Sequence, residues 1–182
     1  MQKAQTKEQQ MKQILDEQLI YPVYQPIVSL KDGSVFGYEA LSRIRLENCC
    51  FNVEEMFHLA EQMNCLFRLE AICRSKSIQG AAHHPFGRKL FINAAPEVIN
   101  DQQFRTGMTL EFLEEYGLLP SDVIFEITER TSITDMHTFL DVIRHYTEQN
   151  FQIAIDDFGD VMPASTVSVH CHRILSNWIS AW

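Results

Sequence analysis

The most informative stretch of the sequence is residues 151–159, which read Phe-Gln-Ile-Ala-Ile-Asp-Asp-Phe-Gly. Its first half is apolar and β-branched, which predicts a buried β-strand. The strand ends at two adjacent carboxylates, Asp156 and Asp157. Neighbouring carboxylates repel each other unless cations or hydrogen bonds compensate, so the pair indicates a metal site. An ordinary strand-to-loop turn, with an aspartate capping the next helix, explains these residues equally well at this point.

Three further segments repeat this design, in which an apolar strand carries a hard oxygen donor at or near its end. The donors and their strands are Glu39 in 35–41, Asn93 in 89–93, and Glu126 with Glu129 in 123–129. A helix-like segment follows each strand. Since the carboxyl ends of parallel strands carry the active site of a (β/α) barrel, the sequence predicts that architecture with its site at this end.

The start of the chain departs from a standard barrel. Residues 21–28 predict a first strand, and the turn Lys-Asp-Gly-Ser at 31–34 follows it closely. Gly33 suits the positive φ of a tight turn. A tight turn between two strands implies an antiparallel hairpin, so the first strand is expected to run against the second.

Length and composition set limits on the fold. The chain has 182 residues, of which 46% are hydrophobic and 21% charged, as in one globular domain. A complete eight-stranded barrel needs about 250 residues, and only about five segments predict strands. We therefore expect an incomplete barrel. No apolar run is long enough to span a membrane and the amino end has no signal-peptide pattern, which predicts a cytoplasmic protein.

Charge and cysteine usage exclude several functions. The net charge of −9 argues against a protein that tracks the phosphates of duplex nucleic acid. The five cysteines are an odd number without a Cys-x-x-Cys pair. This pattern favours a reducing compartment and predicts neither a zinc ribbon nor a disulfide framework.

Helices are expected between the strands. Residues 1–20 predict an amphipathic lead-in helix that forms a junction or dimer contact, and a frayed, solvated terminus is the alternative. Asn52 and Glu55 have the spacing of a capping box. Residues 66–82 and 135–150 predict helices, and so do residues 96–116, with an interruption near Gly107.

Five motifs, taken together, resemble the EAL domain family of cyclic-di-GMP-specific phosphodiesterases. They are Tyr-Gln-Pro-Ile at 24–27, Tyr-Glu-Ala-Leu-Ser-Arg at 38–43, Phe-Ile-Asn at 91–93, Glu-Ile-Thr-Glu at 126–129 and Asp-Asp-Phe-Gly at 156–159. They come in the family's order, and the resemblance runs from about Tyr21 to Gly159. An unrelated α/β fold with chance motifs is the remaining alternative.

The resemblance implies a fold and a set of site residues. The family fold is a modified (β/α)8 TIM-like barrel with an antiparallel first strand, which agrees with the hairpin. The implied ligands of a first Mg²⁺ or Mn²⁺ are Glu39, Asn93, Glu126 and Asp156, and Asp157 is the implied ligand of a second. The implied dinucleotide contacts are Gln25, Leu41 and Arg43, and Glu129 is implied as a supporting acid.

The resemblance also implies an activity, the hydrolysis of cyclic-di-GMP to linear pGpG in bacterial second-messenger signalling. The catalytic carboxylates are then Glu39, Asp156 and Asp157, which serve a metal-activated water. Two metals can lower the pKa of water and bind phosphate oxygens, and oxygen ligands suit Mg²⁺ and Mn²⁺. Members of the family often dimerise, so a homodimer is among the expectations and the oligomeric state stays open.

The last part of the chain departs from the family. The family places a Lys-x-Asp motif on the strand after the Asp-Asp-Phe-Gly loop, and no lysine follows Lys89. Residues 161–182 lack a convincing helix or strand pattern. Reverse translation in a shifted frame forces Ala at 162–163, Leu at 177–178 and Asp at 178–179. With permitted wobble bases the tail reads YAGLNSFGALSPDIVKLDISL, which restores the family pattern.

These observations predict a frameshift or sequencing error after Gly159. The chain then divides into a lead-in helix at 1–20, a partial EAL domain at 21–160 and an out-of-frame tail at 161–182. We expect little or no hydrolysis from the chain as written. The alternatives are a catalytically silent module that binds cyclic-di-GMP or a protein partner, and a pseudogene product without function.

Overall fold

The computed structural model describes residues 5–83, 87–128 and 136–156 of the chain. The strands are β1 (Ile20–Val28), β2 (Val35–Ile44), β3 (Lys89–Asn93), β4 (Val123–Thr128) and β5 (Gln152–Asp156). The α-helices are α1 (Lys7–Asp16), α2 (Val53–Gln62), α3 (Leu66–Ala82), α4 (Met108–Tyr116) and α5 (Met136–Glu148). Two short 3₁₀ helices cover Pro96–Asn100 and Pro120–Asp122. None of the helices described is long and apolar enough to cross a membrane.

The five strands form one sheet in the order β1-β2-β3-β4-β5. β1 pairs with β2 in antiparallel fashion, and the other three pairings are parallel. In the part of the chain described, β1 and β5 are the outer strands and do not pair with each other. The predicted α/β fold with an antiparallel first strand is confirmed, and the open sheet agrees with an incomplete barrel.

The hairpin turn between β1 and β2 has the chemistry that the sequence predicts. Gly33 adopts a φ of 71°, a left-handed conformation that glycine enters without the steric cost of a Cβ. The Asp32 carboxylate accepts hydrogen bonds from the Ser34 amide at 3.0 Å and from the Ser34 hydroxyl at 2.8 Å. The turn therefore returns the chain directly alongside β1 and fixes the antiparallel pairing.

The larger hydrophobic core lies between the sheet and the helices packed on its outer face. Phe125 in β4 is fully buried and stacks on Tyr146 of α5, with ring centroids 4.0 Å apart. Phe151 meets the Phe125 ring edge-on, with centroids 5.1 Å apart. Aromatic pairs at such distances contribute beyond their buried area. This core fixes β4 and β5, and with them the strand ends that carry the predicted acids.

A second core joins the lead-in helix to α2 and α3. Met11 and Ile14 of α1 are 0% exposed and Leu15 is 4% exposed. Thr6 and Gln9 form a capping box that begins the helix. The helix Lys7–Asp16 is therefore a packed element, and for these residues the alternative of a frayed, solvated terminus is wrong.

The helix starts are predicted more accurately than the helix between β3 and β4. Asn52 caps α2, and its side-chain oxygen accepts a hydrogen bond of 2.8 Å from the Glu55 backbone amide, as the motif predicts. The predicted helix over 96–116 is wrong in its first half. There the Asp101 carboxylate accepts a hydrogen bond of 2.8 Å from the Gln103 backbone amide. This local contact turns the chain away from helical geometry. Gly107 has a φ of 91°, so α4 begins only at Met108.

Candidate ligand and metal cleft

The register of the sheet aligns the residues that the sequence singles out. Gln25 lies opposite Glu39 in the β1–β2 pair, and Asn93 lies opposite Glu126 in the β3–β4 pair. Glu39 is in register with Phe91, two residues before Asn93. Since alternate residues of a strand share a face, Gln25, Glu39, Asn93 and Glu126 all belong to one face of the sheet. This face is opposite to the one that packs on the helices.

The Asn93 and Glu39 side chains are in direct contact. The Asn93 Nδ2 atom donates a hydrogen bond of 2.8 Å to Glu39 Oε1. Because the amide nitrogen is committed to the carboxylate, the Asn93 amide oxygen is the atom that can ligate a cation. The Ala94 amide donates to the Glu126 carbonyl oxygen at 2.9 Å, which ties the residue after β3 to β4. The middle of β2 is thus connected to the end of β3, and the residue after β3 to β4.

A cleft of about 560 Å³ lies over the carboxyl ends of these strands and is bounded by α2 and α3. The predicted site residues that line it are Leu41, Arg43, Asn93 and Glu126. Glu39 is connected to the cleft through Asn93. Gln25 is exposed beside Glu39 on β1 and is not part of the lining.

The remaining predicted residues lie at the limit of the described structure. Asp156 is the last residue of β5, and its backbone pairs with Thr128 of β4. Its side chain, together with Asp157 and Glu129, lies outside the described residues. The assignment of these three acids to the site stays a prediction.

The cleft carries more negative than positive charge. Its lining includes five glutamates and two arginines: Glu54, Glu61, Glu70, Glu97, Glu126, Arg43 and Arg74. The Arg43 Nη1 atom donates to the Ser42 carbonyl oxygen at 2.8 Å, so this guanidinium lies along the end of β2. An anionic ligand in such a cleft is repelled unless cations are bound with it.

The donor chemistry fits a hard divalent cation. Glu39 and Glu126 supply carboxylates and Asn93 an amide oxygen at neighbouring strand ends. Oxygen donors of this kind suit Mg²⁺, Mn²⁺ and Ca²⁺. Among the described side chains, no group of three or more His, Cys, Asp and Glu residues is arranged to hold a metal. The described ligands therefore form a partial set, to which the acids at 156 and 157 are the predicted additions.

Cys73 lines the cleft, and a cysteine in such a position could in principle act as a nucleophile. Burial raises the pKa of the Cys73 thiol to about 12. Since the thiolate is the nucleophilic form, the thiol is inert at neutral pH. The cleft is therefore suited to binding through oxygen donors rather than to covalent catalysis by cysteine.

Sequence reasoning missed a buried ion pair beside the site. Glu70 and Arg74 of α3 are 6% and 8% exposed, and the Glu70 carboxylate accepts a hydrogen bond of 3.2 Å from Arg74 Nη2. The spacing of four residues is typical of a surface pair on a helix. The available signal was that both charges fall among the inward residues Leu69, Ile72 and Cys73.

Comparison with known proteins places this geometry in a family. The model of the EAL domain family matches residues 8–164. A probable cyclic di-GMP phosphodiesterase of Escherichia coli, PdeB, is 27% identical over 141 residues, which cover 75% of this chain and 27% of that protein. An uncharacterised protein of Mycobacterium tuberculosis is 31% identical over 148 residues, which cover 75% of this chain and 23% of that protein. The chain thus spans about a quarter of the length of these curated relatives.

A solved structure shows the same likeness. The manganese and cyclic-di-GMP complex of Klebsiella pneumoniae BlrP1 has a TM-score of 0.70 and 26% sequence identity, over 82% of this chain and 38% of that chain. The family model covers far more than half of the 182 residues, and the five-stranded sheet agrees with it. The chain belongs to the EAL domain family.

Proposed function

We propose that the cleft binds cyclic-di-GMP together with divalent cations, in a domain of the type that hydrolyses cyclic-di-GMP to pGpG. The observation that carries the proposal is the contact between Asn93 and Glu39, with Glu126 in register on the next strand. These side chains come from three strands, so their oxygen donors can act on one ligand. The similarity to a probable cyclic di-GMP phosphodiesterase of E. coli and to a cyclic-di-GMP complex of K. pneumoniae BlrP1 supports cyclic-di-GMP as that ligand.

The charge of the cleft supports metal-dependent binding. Cyclic-di-GMP carries two phosphodiester charges, and the cleft lining has a surplus of glutamates. Arg43 is the residue proposed to contact a phosphate, and Leu41 supplies an apolar contact at the end of β2. Gln25, exposed beside Glu39, is proposed as a further dinucleotide contact. We therefore expect binding to require a divalent cation.

The residues proposed to hold the cations are Glu39, Asn93, Glu126 and Asp156 for the first and Asp157 for the second. Bound Mg²⁺ or Mn²⁺ supplies Lewis acidity and lowers the pKa of water. The chain contributes the orientation of the ligands, since the Asn93 amide nitrogen holds the Glu39 carboxylate. Glu129 is proposed to support this arrangement.

We infer that hydrolysis by the 182-residue chain is slow. The resemblance assigns the general-base or water-orienting role to a lysine of a Lys-x-Asp motif, and the sequence has no lysine after Lys89. The second candidate function, a module that binds cyclic-di-GMP without turnover, is favoured by the same observation. The two functions share the cleft and differ only in product formation.

Calorimetric titration of the full chain with cyclic-di-GMP tests the proposal, in Mn²⁺, in Ca²⁺ and in a metal chelator. We expect binding in both metals and none in the chelator. Chromatography of the Mn²⁺ sample for pGpG then separates the two functions, because only the enzyme forms the product. A chain that is folded and binds no cyclic-di-GMP in either metal would exclude both.

A further inference from the structure

We propose that Glu70 is a positioning residue for Asn93, acting through the backbone of the segment that follows β3. The inference rests on the proposed function, since Asn93 matters as a ligand only if the cleft takes a cation. It concerns a buried ion pair that the proposed chemistry does not use. The pair lies on α3 and lines the cleft.

The geometry joins Glu70 to the site in two steps. Glu70 Oε1 accepts a hydrogen bond from the Ala95 amide, with a donor–acceptor distance of 2.5 Å. Ala95 lies two residues after Asn93, and the intervening Ala94 amide donates to the Glu126 carbonyl oxygen at 2.9 Å. Two consecutive amides are thus held from different elements, one by β4 and one by α3. The backbone that carries the Asn93 side chain is fixed immediately after the strand ends.

Both oxygens of the Glu70 carboxylate accept a hydrogen bond, Oε1 from the Ala95 amide and Oε2 from Arg74. Arg74 donates to Glu70 Oε2 at 3.2 Å through Nη2 and to Thr109 Oγ1 of α4 at 2.9 Å through Nη1. The Arg74 guanidinium carbon also lies 5.1 Å from the centre of the Phe125 ring. Phe125 directly precedes Glu126, on the opposite face of β4. The arginine therefore connects α3 and α4 to the strand that carries the next proposed ligand.

The burial of this pair argues for a role beyond stability. Taking two charges out of water is costly, and apolar residues of similar volume often serve stability as well. An apolar pair, however, offers no acceptor for the Ala95 amide. Residues that do not bind the metal but hold its ligands in place through hydrogen bonds commonly affect metal affinity. What the ion pair adds to the fold is a fixed hydrogen-bond acceptor, Glu70 Oε1, for the Ala95 amide in the segment after Asn93.

Two double variants isolate that acceptor. Glu70→Gln with Arg74→Met removes both charges and keeps an amide oxygen for Ala95, whereas Glu70→Leu with Arg74→Met removes the charges and the acceptor. Two readouts are compared in the full chain. The first is the ¹⁵N NMR signal of the Asn93 side-chain amide, which needs no metal. The second is the affinity for Mn²⁺ in the presence of cyclic-di-GMP.

We expect the Leu variant to lose the distinct Asn93 side-chain signals and to bind Mn²⁺ about tenfold more weakly than the Gln variant. Equal Asn93 signals in the two folded variants would overturn the proposal, and so would equal Mn²⁺ affinities. If the Leu variant does not fold, the exchange rate of the Ala95 amide in the wild-type chain decides. A protected amide supports the proposal, and an amide that exchanges like an exposed one overturns it.

The metal-free readout separates this proposal from the proposed function. A wild-type chain that binds neither Mn²⁺ nor cyclic-di-GMP would exclude the function, while the Asn93 signals would still show whether Glu70 orders that side chain.

Discussion

The Asn93 side-chain amide donates a 2.8 Å hydrogen bond to the Glu39 carboxylate, although the two residues are 54 positions apart in the sequence. They meet because β2 and β3 are adjacent parallel strands whose register places Glu39 beside Phe91, two residues before Asn93 on the same face. The contact directs the amide oxygen away from Glu39. It is the structural basis for treating this edge as a metal and ligand site.

Glu39→Gln and Asn93→Ala are each expected to weaken cyclic-di-GMP binding in Mn²⁺ by about tenfold or more, because the first removes a carboxylate charge and the second an amide oxygen. Since Asn93 is exposed, its loss should change the melting temperature little. Titration calorimetry and thermal unfolding measure the two effects. The matched control is Gln62→Ala, an exposed amide on α2 outside the cleft lining. Wild-type affinity in the Glu39 and Asn93 variants would contradict their assignment as ligands.

The stability of the chain is expected to depend on pH through Glu70. Burial raises the pKa of Glu70 from 4.5 to about 7, and the Arg74 charge and the Ala95 amide oppose the shift. Up to about pH 7 the folded state therefore keeps a proton that the unfolded state releases above its own pKa, and above that pH the ionised carboxylate forms the ion pair with Arg74. This contribution is fully present below about pH 4.5 and is lost as the pH rises through about 7.

Thermal unfolding of the wild type and of Glu70→Gln across this range measures the contribution. We expect the melting temperature of the wild type to fall more steeply between about pH 5 and pH 8 than that of the variant. Parallel curves for the two chains would show that Glu70 does not retain its proton.

Gly80→Ala is expected to destabilise the fold by about 1–3 kcal/mol. A Cβ atom on Gly80 would lie 2.2 Å from the Tyr24 hydroxyl oxygen and 3.1 Å from Pro22 Cγ. Relieving this overlap moves Tyr24, whose hydroxyl donates to the Ser77 carbonyl oxygen at 2.8 Å and so joins β1 to α3. Urea unfolding measures the change.

Tyr24→Phe removes the hydroxyl and provides the control for this contact. In the Tyr24→Phe background, Gly80→Ala should cost less than in the wild type, because the oxygen that it meets is gone. An equal cost in the two backgrounds would place the strain elsewhere.

The nucleotide sequence after codon 159 tests the predicted frameshift. We expect bases that encode YAGLNSFGALSPDIVKLDISL in the shifted frame, including the Lys-x-Asp motif. Sequencing the locus on both strands measures this directly. DNA that cannot encode that peptide would remove the hypothesis and leave residues 161–182 as the genuine continuation of the chain.

The strands and their polarity could be predicted because each strand carries its own signal. The β-branched run before Asp156 marks β5, and the turn around Gly33 marks the antiparallel hairpin. These signals are local, so a single sequence is enough to recognise them. The register that places Asn93 opposite Glu126 is a finding of the structure, because strand order and direction alone do not determine it.

Two features were missed by sequence reasoning, a local turn at Asp101 and a buried ion pair that depends on contacts between distant residues. The hydrogen bond from the Gln103 amide to the Asp101 carboxylate competes with helix formation. The apolar periodicity of residues 96–116 gives no indication of this hydrogen bond. Glu70 and Arg74 have the spacing of a solvated pair, and the packing of Thr109 and Phe125 around Arg74 contributes to burying them. Helical periodicity assigns charged residues to the solvent by default, so it overlooks ion pairs of this kind.

The most direct test of the central claim is the anomalous scattering of Mn²⁺ in crystals of the chain grown with cyclic-di-GMP. We predict a manganese peak within about 2.5 Å of oxygen atoms of Glu39, Asn93 and Glu126, with a phosphate of the dinucleotide beside it. Manganese bound elsewhere, with these three side chains turned away from the ligand, would contradict the claim.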